Sequence, residues 1–265
     1  MLYLNALVGK EGNGLSLQNH ILTIKKSLED FLLIEESLTI VVEAGVSAKL
    51  LDITSHQNIE IQVKNDAYLD YQILNSKNTN RKIECLGEVA ITEICLEESK
   101  ESLHIELLCE HANARVELLS LANHSNLEFL QNIEHKSKET TSNISNFGVA
   151  LNEGNTVFDT TGKILKGMSK SKCVQLSKGI VMDDVSSVTS KPILLIDEYD
   201  VVANHGASIG KMSDESLFYL MSRGLTKQEA FLLILEGIVH PFIEKISDEQ
   251  LKLSVNQKIE QLMMR

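Results

Sequence analysis

The sequence predicts a mainly β protein that ends in a small helical domain. Short alternations of apolar and polar residues fill the region from Leu38 to about Glu134, which is typical of strands with one buried face. After Ser213 the apolar residues change to helical spacing, and helix-capping signals appear. No linker rich in Pro or Ser interrupts the strand-like region, so we expect it to form one continuous body.

The strand segments are short and similar to one another. They recur roughly every 9 to 14 residues, and clusters of Asn, Asp, Ser, Gly and Lys separate them. A β-sandwich and a β-solenoid both fit this spacing. The similar lengths of residues 88–96 and 102–109, together with few Pro and aromatic residues, favour the solenoid, because stacked coils have a narrow interior. From Asn143 to Val188 glycines mark the turns less regularly.

These patterns predict three parts of the chain. Residues 1–37 are a lead-in, residues 38–200 form the β core, and residues 201–265 form a junction and the helical domain. In the last part, Ser213 is a predicted N-cap, Thr226 to Glu229 a capping box, and Ser247 to Gln250 a second capping box. Pro241 is expected to kink or end the middle helix.

The junction carries the residues best suited to chemistry. Asp197, Glu198, Asp200 and His205 lie close together in sequence and are candidates for a metal or acid–base site. Alternation along an extended segment places at most two of the carboxylates on one face. The favoured interpretation is therefore a solvated acidic turn beside a structural histidine.

Composition excludes several functional classes. The formal net charge of -12 argues against a nucleic-acid partner, and no apolar run approaches the roughly 20 residues that a membrane helix needs. We therefore expect a cytoplasmic protein. Cys85, Cys95, Cys109 and Cys173 show no metal-ligand spacing, so each is interpreted as a small buried residue. No nucleotide-binding, nucleophile-elbow or zinc-protease motif occurs.

The junction also resembles a known family. Asn204-His205-Gly206-Ala207-Ser208-Ile209-Gly210, followed by Leu217-Phe218-Tyr219-Leu220 and Ser222-Arg223-Gly224, is similar to the HGAT-x-G and LFYL-x-SRG signature of the SufB/SufD family. This family belongs to the SUF system of iron–sulfur cluster assembly, and the likeness is closer to its SufD branch. Family members commonly carry a further helical region at the N-terminus, so the chain is expected to be short there.

The resemblance implies a fold and a function. The fold would be a right-handed parallel β-helix with a small C-terminal α-helical domain. The function would be that of a non-catalytic scaffold, which pairs through its last coils with a SufB-like paralogue or a second copy of itself. The C-terminal helices would dock the ABC-type ATPase SufC, and the residues expected at that contact are Leu217, Phe218, Leu220, Met221, Arg223, Phe231 and Phe242.

The resemblance assigns one residue to the cluster-assembly interface, His205. SufD proteins often carry a cysteine two positions before this histidine, where this chain has Ala203. A single imidazole cannot hold a cluster, so the chain alone is expected to bind no cofactor, and a cluster would form transiently in a complex. Cys109 or Cys173 could occupy a rung comparable to that of a SufB cysteine.

Two other interpretations remain open from the sequence. A carbohydrate-active parallel β-helix enzyme would need several carboxylates on adjacent rungs, and the turn from Asp197 to Asp200 provides some. A purely structural β-solenoid homodimer would need no motif at the junction. The capped helical tail argues against both.

Overall fold

Strands of two parallel sheets make up most of the chain. The computed structural model describes residues 2–3, 14–246 and 248–263. In chain order the elements are β1 (Leu2–Tyr3), β2 (Leu15–Gln18), β3 (Ile21–Ile24), β4 (Leu32–Ile34), β5 (Thr39–Val42), β6 (Ser47–Asp52), β7 (Asn58–Val63), β8 (Tyr68–Leu74), β9 (Asn80–Cys85), β10 (Glu88–Cys95), β11 (Ser99–Leu107), β12 (Asn113–Asn123), β13 (Asn126–His135), β14 (Thr141–Leu151), β15 (Asn155–Ile164), β16 (Lys172–Val181), β17 (Ser187–Ile196), β18 (Val202–Lys211), α1 (Asp214–Ser222), α2 (Lys227–Ile243) and α3 (Glu249–Met263).

From β3 onward, successive strands alternate between the two sheets. Sheet A has the order β1-β4-β6-β8-β10-β12-β14-β16-β18, and sheet B has the order β17-β15-β13-β11-β9-β7-β5-β3-β2. Apart from the antiparallel pair β2 and β3, the pairings are parallel. Each coil of the chain therefore adds one strand to each sheet, which is the arrangement of a parallel β-helix. The predicted solenoid is confirmed, and the antiparallel sandwich is excluded.

The coils lengthen toward the C-terminal end. Val63 is the register partner of Cys85, 22 residues later, whereas Ile164 is the partner of Ile196, 32 residues later. The sheets also extend beyond the bounds expected from the sequence, since β3 and β4 precede residue 38 and β18 follows residue 200. β3 and β4 have three or four residues, too few for an alternation to be recognised. The extended segment expected from Val201 to His205 belongs, from Val202 onward, to β18, which continues to Lys211 and joins sheet A, so it is part of the β core and not of a separate junction.

The interior of the first coils is apolar. Stacked aliphatic residues such as Ile40, Ile61, Ile83 and Ile105 are almost completely buried. The alternation in sequence produces this interior, because every second side chain of a strand projects inward. Burial of this surface stabilises the coils by the hydrophobic effect.

One buried polar cluster interrupts this interior. The Arg81 guanidinium donates from Nε to Asp52 Oδ2 at 2.8 Å and from Nη1 to Glu101 Oε2 at 2.6 Å. The Tyr71 hydroxyl also donates to Asp52. Glu93 lies nearby, and burial together with the negative charge of Glu101 raises the pKa of Glu93 to about 8. The cluster thus keeps one cation and several acidic groups away from water.

The helical domain begins with the predicted capping interactions. Ser213 Oγ accepts from the Ser216 amide, and Thr226 forms a reciprocal capping box with Glu229. Ser247 lies outside the described residues, but Asp248 Oδ1 accepts from the amides of Gln250 and Leu251, so it caps α3. α2 continues through Pro241 and ends at Ile243.

Helices α2 and α3 pack against the outer face of sheet A. The shared apolar cluster contains Leu33, Leu51, Leu74, Leu96, Leu119, Leu121, Val149 and Leu151 of the sheet side and Leu235, Val239, Ile243, Val255 and Ile259 of the helices. The C-terminal ends of the sheet A strands are consequently buried on both faces. Within the described residues, no helix has the length and apolar character to cross a lipid bilayer.

Candidate functional site

The last coil leaves two strands with one free edge each. Within the described part of the chain, β17 pairs only with β15, and β18 pairs only with β16. Each of these strands is ten residues long. Their unpaired N–H and C=O groups form an edge on which another strand could pair. The C-terminal end of the solenoid is therefore suited to binding a partner.

His205 belongs to the interior face of sheet A. Its register partner is Gln175 on β16, and the partner of Gln175 on β14 is Ile144. Ile144 and Gln175 are both buried, and register partners in a parallel sheet project to the same side. His205 is exposed because, among the described residues, no strand pairs with the outer edge of β18. Its imidazole thus lies at the open end of the coil interior rather than on the outer wall.

The interior becomes polar as it approaches this end. The row formed by Ile144, Gln175 and His205 changes from an aliphatic to an amide to an imidazole side chain. The Gln175 side chain donates from Nε2 to the Ile193 carbonyl of β17 at 3.2 Å, whereas no residue in the described part of the chain donates to its buried Oε1. Gln175 therefore connects sheet A to sheet B directly beneath His205.

A second polar row lies beside the first. Ser142, Cys173 and Ala203 are successive register partners, so Cys173 is one strand inward from Ala203. The His135 ring forms hydrogen bonds with two hydroxyl groups, from Nδ1 with Thr140 Oγ1 at 2.7 Å and from Nε2 with Ser142 Oγ at 2.8 Å. Burial lowers the pKa of His135 to about 4 and raises the pKa of the Cys173 thiol. These groups are neutral and buried below the exposed His205.

The acidic turn before β18 has a structural role in this fold. Glu198 accepts from the amide of Gly167 at 2.8 Å and from that of Tyr199 at 2.9 Å. These backbone hydrogen bonds hold the pKa of Glu198 below its usual range. Within the described residues, the one group of three metal-ligating side chains close to one another does not include Asp197, Glu198, Asp200 or His205. The turn attaches the last coil to the preceding one.

Helix α1 follows the last coil and exposes an apolar surface. Of the residues expected at an ATPase contact, Phe218, Met221 and Arg223 are exposed, whereas Leu217 is buried. Arg223 is the C-cap residue of α1 and lies over the Tyr219 ring, 5.2 Å from its centroid. A groove of about 600 Å³ runs along this helix and includes Phe218, Tyr219 and Leu220. This surface has no covering element in the described part of the chain.

The two other expected contact residues lie elsewhere. Phe231 and Phe242 of α2 are half-buried and pack in the cluster that joins the helices to sheet A. Amphipathic helices alone do not reveal whether their apolar face covers the same chain or a partner. A signal for this covering was present in the sequence. Adjacent apolar residues such as Leu50-Leu51 and Leu118-Leu119 interrupt the alternation, which indicates that these strands are buried on both faces.

The cysteines are separated in the structure. Cys85, Cys95 and Cys173 are buried, and Cys109 is half-buried. Burial raises the pKa of the Cys85 thiol to about 12 and that of Cys95 well above its usual value. The Asn65 side-chain amide contacts Cys109 Sγ at 3.4 Å. No group of three cysteine, histidine or acidic ligands within the described ranges includes any of these thiols.

Comparison with known proteins places most of the chain in one protein family. Residues 8–238 match the model of the SUF system FeS cluster assembly, SufBD core domain. The chain belongs to the SufB/SufD family. The match covers the solenoid from β2 onward, α1 and most of α2, so it is not limited to the motif around His205.

Among SufB/SufD family proteins, the chain is SufD-like. It is 36% identical over 132 residues to the iron-sulfur cluster assembly protein SufD of Bacillus subtilis, covering 50% of this chain and 30% of that protein. It is 30% identical over 129 residues to SufD of Escherichia coli, covering 49% of this chain and 30% of that protein. The matched region thus spans about a third of the length of these relatives.

Proposed function

We propose that this chain is a non-catalytic scaffold subunit of a SufBCD-type iron–sulfur cluster assembly complex. Membership of the SufB/SufD family supports the biological process. The alternative of a carbohydrate-active enzyme would need the carboxylates of the acidic turn for catalysis. Glu198 instead accepts hydrogen bonds from backbone amides, which supports a non-catalytic role. The cluster is cargo of the complex, and its ligands come from more than one chain.

The observation that carries the proposal is the position of His205 at the open end between two free strand edges. A partner solenoid, either a SufB-like paralogue or a second copy, pairs with the edge of β17 or β18. Pairing encloses the imidazole, which then contributes one ligand or hydrogen bond to the nascent cluster. The imidazole is suited to iron, and the remaining ligands are supplied by the partner.

A matched pair of isoleucines tests the pairing. Ile209 on β18 is 41% exposed at the open end, and Ile21 on β3 is 43% exposed near the other end of the solenoid. A lysine on an edge strand opposes pairing because its charge must stay hydrated. Ile209→Lys should abolish pairing with a SufB-like partner and with itself in light scattering, whereas Ile21→Lys should not. Equal pairing by both variants would show that the last coil is not the interface.

Docking of the SufC ATPase is assigned to α1 and the adjacent groove. The groove residues Phe218 and Tyr219 are exposed aromatic side chains, which are common at the centres of protein interfaces. Removing the whole helical domain would be a poor test, because it would expose the apolar outer face of sheet A. Single substitutions on the surface of α1 avoid this effect.

The test compares two exposed residues of the helical domain. Phe218 on α1 is 74% exposed and Leu253 on α3 is 59% exposed. Phe218→Asp should weaken SufC binding in calorimetry by at least about tenfold, since a central aromatic residue commonly contributes 2 kcal/mol or more, in round figures, to an interface. Leu253→Asp should bind normally. Normal SufC binding by Phe218→Asp would place the dock elsewhere without affecting the pairing proposal.

A further inference from the structure

Three side chains on the outer face of sheet B bring one imidazole and two carboxylates together. His104 and Glu106 lie two residues apart on β11, and Glu134 on β13 is the register partner of Glu106. Ligand atoms of all three residues lie within 4.8 Å of one another. The two strands hold their backbones in a regular hydrogen-bonded ladder, so the arrangement does not depend on a loop.

The spacing suits a small metal ion. His104 Nε2 and Glu106 Oε1 are 3.3 Å apart. Bonds of about 2.0–2.2 Å to one ion place neighbouring ligand atoms roughly 3–3.5 Å apart, so this pair is already at chelating distance. Modest rotation of the partly buried Glu134 side chain would complete a set of three.

Lysine ammonium groups already lie against both carboxylates. Lys136 Nζ is 2.5 Å from Glu106 Oε1 and 3.4 Å from Glu134 Oε2, and Lys163 Nζ is 3.7 Å from Glu134 Oε1. The position therefore attracts positive charge. Lysine has a flexible stem, and partly exposed ion pairs of this kind stabilise a fold only slightly, so displacement of Lys136 costs little.

The neighbouring lysines pair with carboxylates and not with the imidazole. Lys82 and Glu84 on β9 pair with each other at 3.5 Å. With Lys136 on Glu106 and Lys163 near Glu134, the carboxylates have cationic partners without His104. His104 Nε2 forms a hydrogen bond with Glu106 Oε1 at 3.3 Å, and a metal ion bound between these two atoms would replace that hydrogen bond.

We propose that His104, Glu106 and Glu134 bind a divalent first-row transition metal, of the class of Fe²⁺, Mn²⁺ and Zn²⁺, in competition with Lys136. One imidazole and two carboxylates are ligands that these ions accept. Three protein ligands leave coordination positions open to water or an exchangeable group. The site lies on the outer face of sheet B, apart from His205 on the inner face of sheet A, so it goes beyond the proposed scaffold function.

The test titrates the full chain with Co²⁺, whose absorption spectrum reports its ligands. Wild type should bind one ion saturably, without a thiolate charge-transfer band that would indicate a cysteine. His104→Ala and Glu134→Gln should each weaken binding by at least about tenfold, because loss of a ligand costs no less than loss of a supporting residue. Lys136→Met should tighten binding, since it removes the competing cation.

His240→Ala is the matched control. His240 also lies beside a carboxylate, Glu244 Oε1, at 3.7 Å on α2, and its removal should leave binding unchanged. Thermal melts verify that each variant is folded. If His104→Ala is destabilised, the metal affinity of Glu134→Gln tests the proposal in its place. Absence of saturable binding by Lys136→Met, or binding that is insensitive to both His104→Ala and Glu134→Gln, would identify the cluster as an ion-pair network only.

Discussion

Gln175 and His205 are register partners on the interior face of sheet A, but only Gln175 is covered by a further strand. Gln175 is 2% exposed and donates to the Ile193 carbonyl across the interior. His205 is exposed, and no side-chain hydrogen bond to it is formed by the residues described here. The same row of the β-helix therefore holds a structural amide and, one strand later, an imidazole available to a partner.

His205→Ala should leave the melting temperature of the isolated chain nearly unchanged. Its side chain is exposed, and surface substitutions of this kind usually change stability by about 0.5 kcal/mol or less. Cluster formation by the assembled complex should fall sharply, because the change removes the ligand or hydrogen bond that His205 is proposed to supply. The two measurements are thermal denaturation and in vitro cluster assembly on one preparation.

Gln175→Ala provides the contrast with His205→Ala. It removes a buried hydrogen bond to β17 and should lower stability by about 1–3 kcal/mol. If His205→Ala destabilised the chain as much as Gln175→Ala, or assembled clusters normally, the functional assignment of His205 would be wrong.

The chain alone should form no stable iron–sulfur cluster. Burial raises the pKa of Cys85, Cys95 and Cys173, so their thiolates are disfavoured at neutral pH. Only the half-buried Cys109 should react rapidly with a thiol reagent in the native chain, and all four should react in denaturant. Anaerobic reconstitution is the direct measurement. A cluster that depends on two of the four cysteines would contradict this prediction.

Glu93→Gln should make the chain more stable than wild type at alkaline pH. The folded-state pKa of Glu93 is raised from 4.5 to about 8, mainly by burial, so the folded state retains a proton that the unfolded state releases. Stability from this group is fully present below pH 4.5 and falls as the pH rises toward 8, by at most about 1.4 kcal/mol per pH unit. Glutamine cannot lose that proton.

Urea unfolding at pH 5, 7 and 9 measures this difference. The exposed Glu60 on β7 provides the control Glu60→Gln, which should follow wild type at each pH. A Glu93→Gln curve parallel to that of wild type would show that Glu93 is ionised in the folded state.

His135 should limit stability in acid. Its pKa is lowered from 6.5 to about 4 by burial, so the folded state excludes a proton that the unfolded state binds. Its contribution is fully present above pH 6.5 and is lost as the pH falls toward 4. His135→Gln should be less stable at pH 7, because Thr140 and Ser142 lose well-placed partners, but it should lose less stability on acidification.

The exposed His240 supplies the control for His135. His240→Gln should have the acid dependence of wild type, as measured by urea unfolding between pH 4 and 7. Equal acid dependence of His135→Gln and wild type would show that His135 is not the group that titrates.

The sequence by itself determined the type of most local elements, the short strands β3 and β4 excepted. Alternation specified the strands because a strand exposes every second side chain, and the capping residues Ser213, Thr226 and Glu229 specified helix starts because they satisfy free amides. These are interactions between residues close in sequence, so a pattern can reveal them. The likeness around His205 identified the family for the same reason, since its residues are contiguous.

Only the tertiary structure decided which residues meet across coils. Glu106 and Glu134 are partners because their coil has 28 residues, whereas other coils are shorter or longer, and no local signal gives the length. In the same way, register brought Arg81 to Asp52 and His205 to Gln175. The covering of sheet A by α2, which buries part of Phe231 and Phe242, depended on an apolar outer face assembled from many strands. Long-range packing, not local propensity, therefore determines which side chains are buried in the fold and which remain exposed for binding.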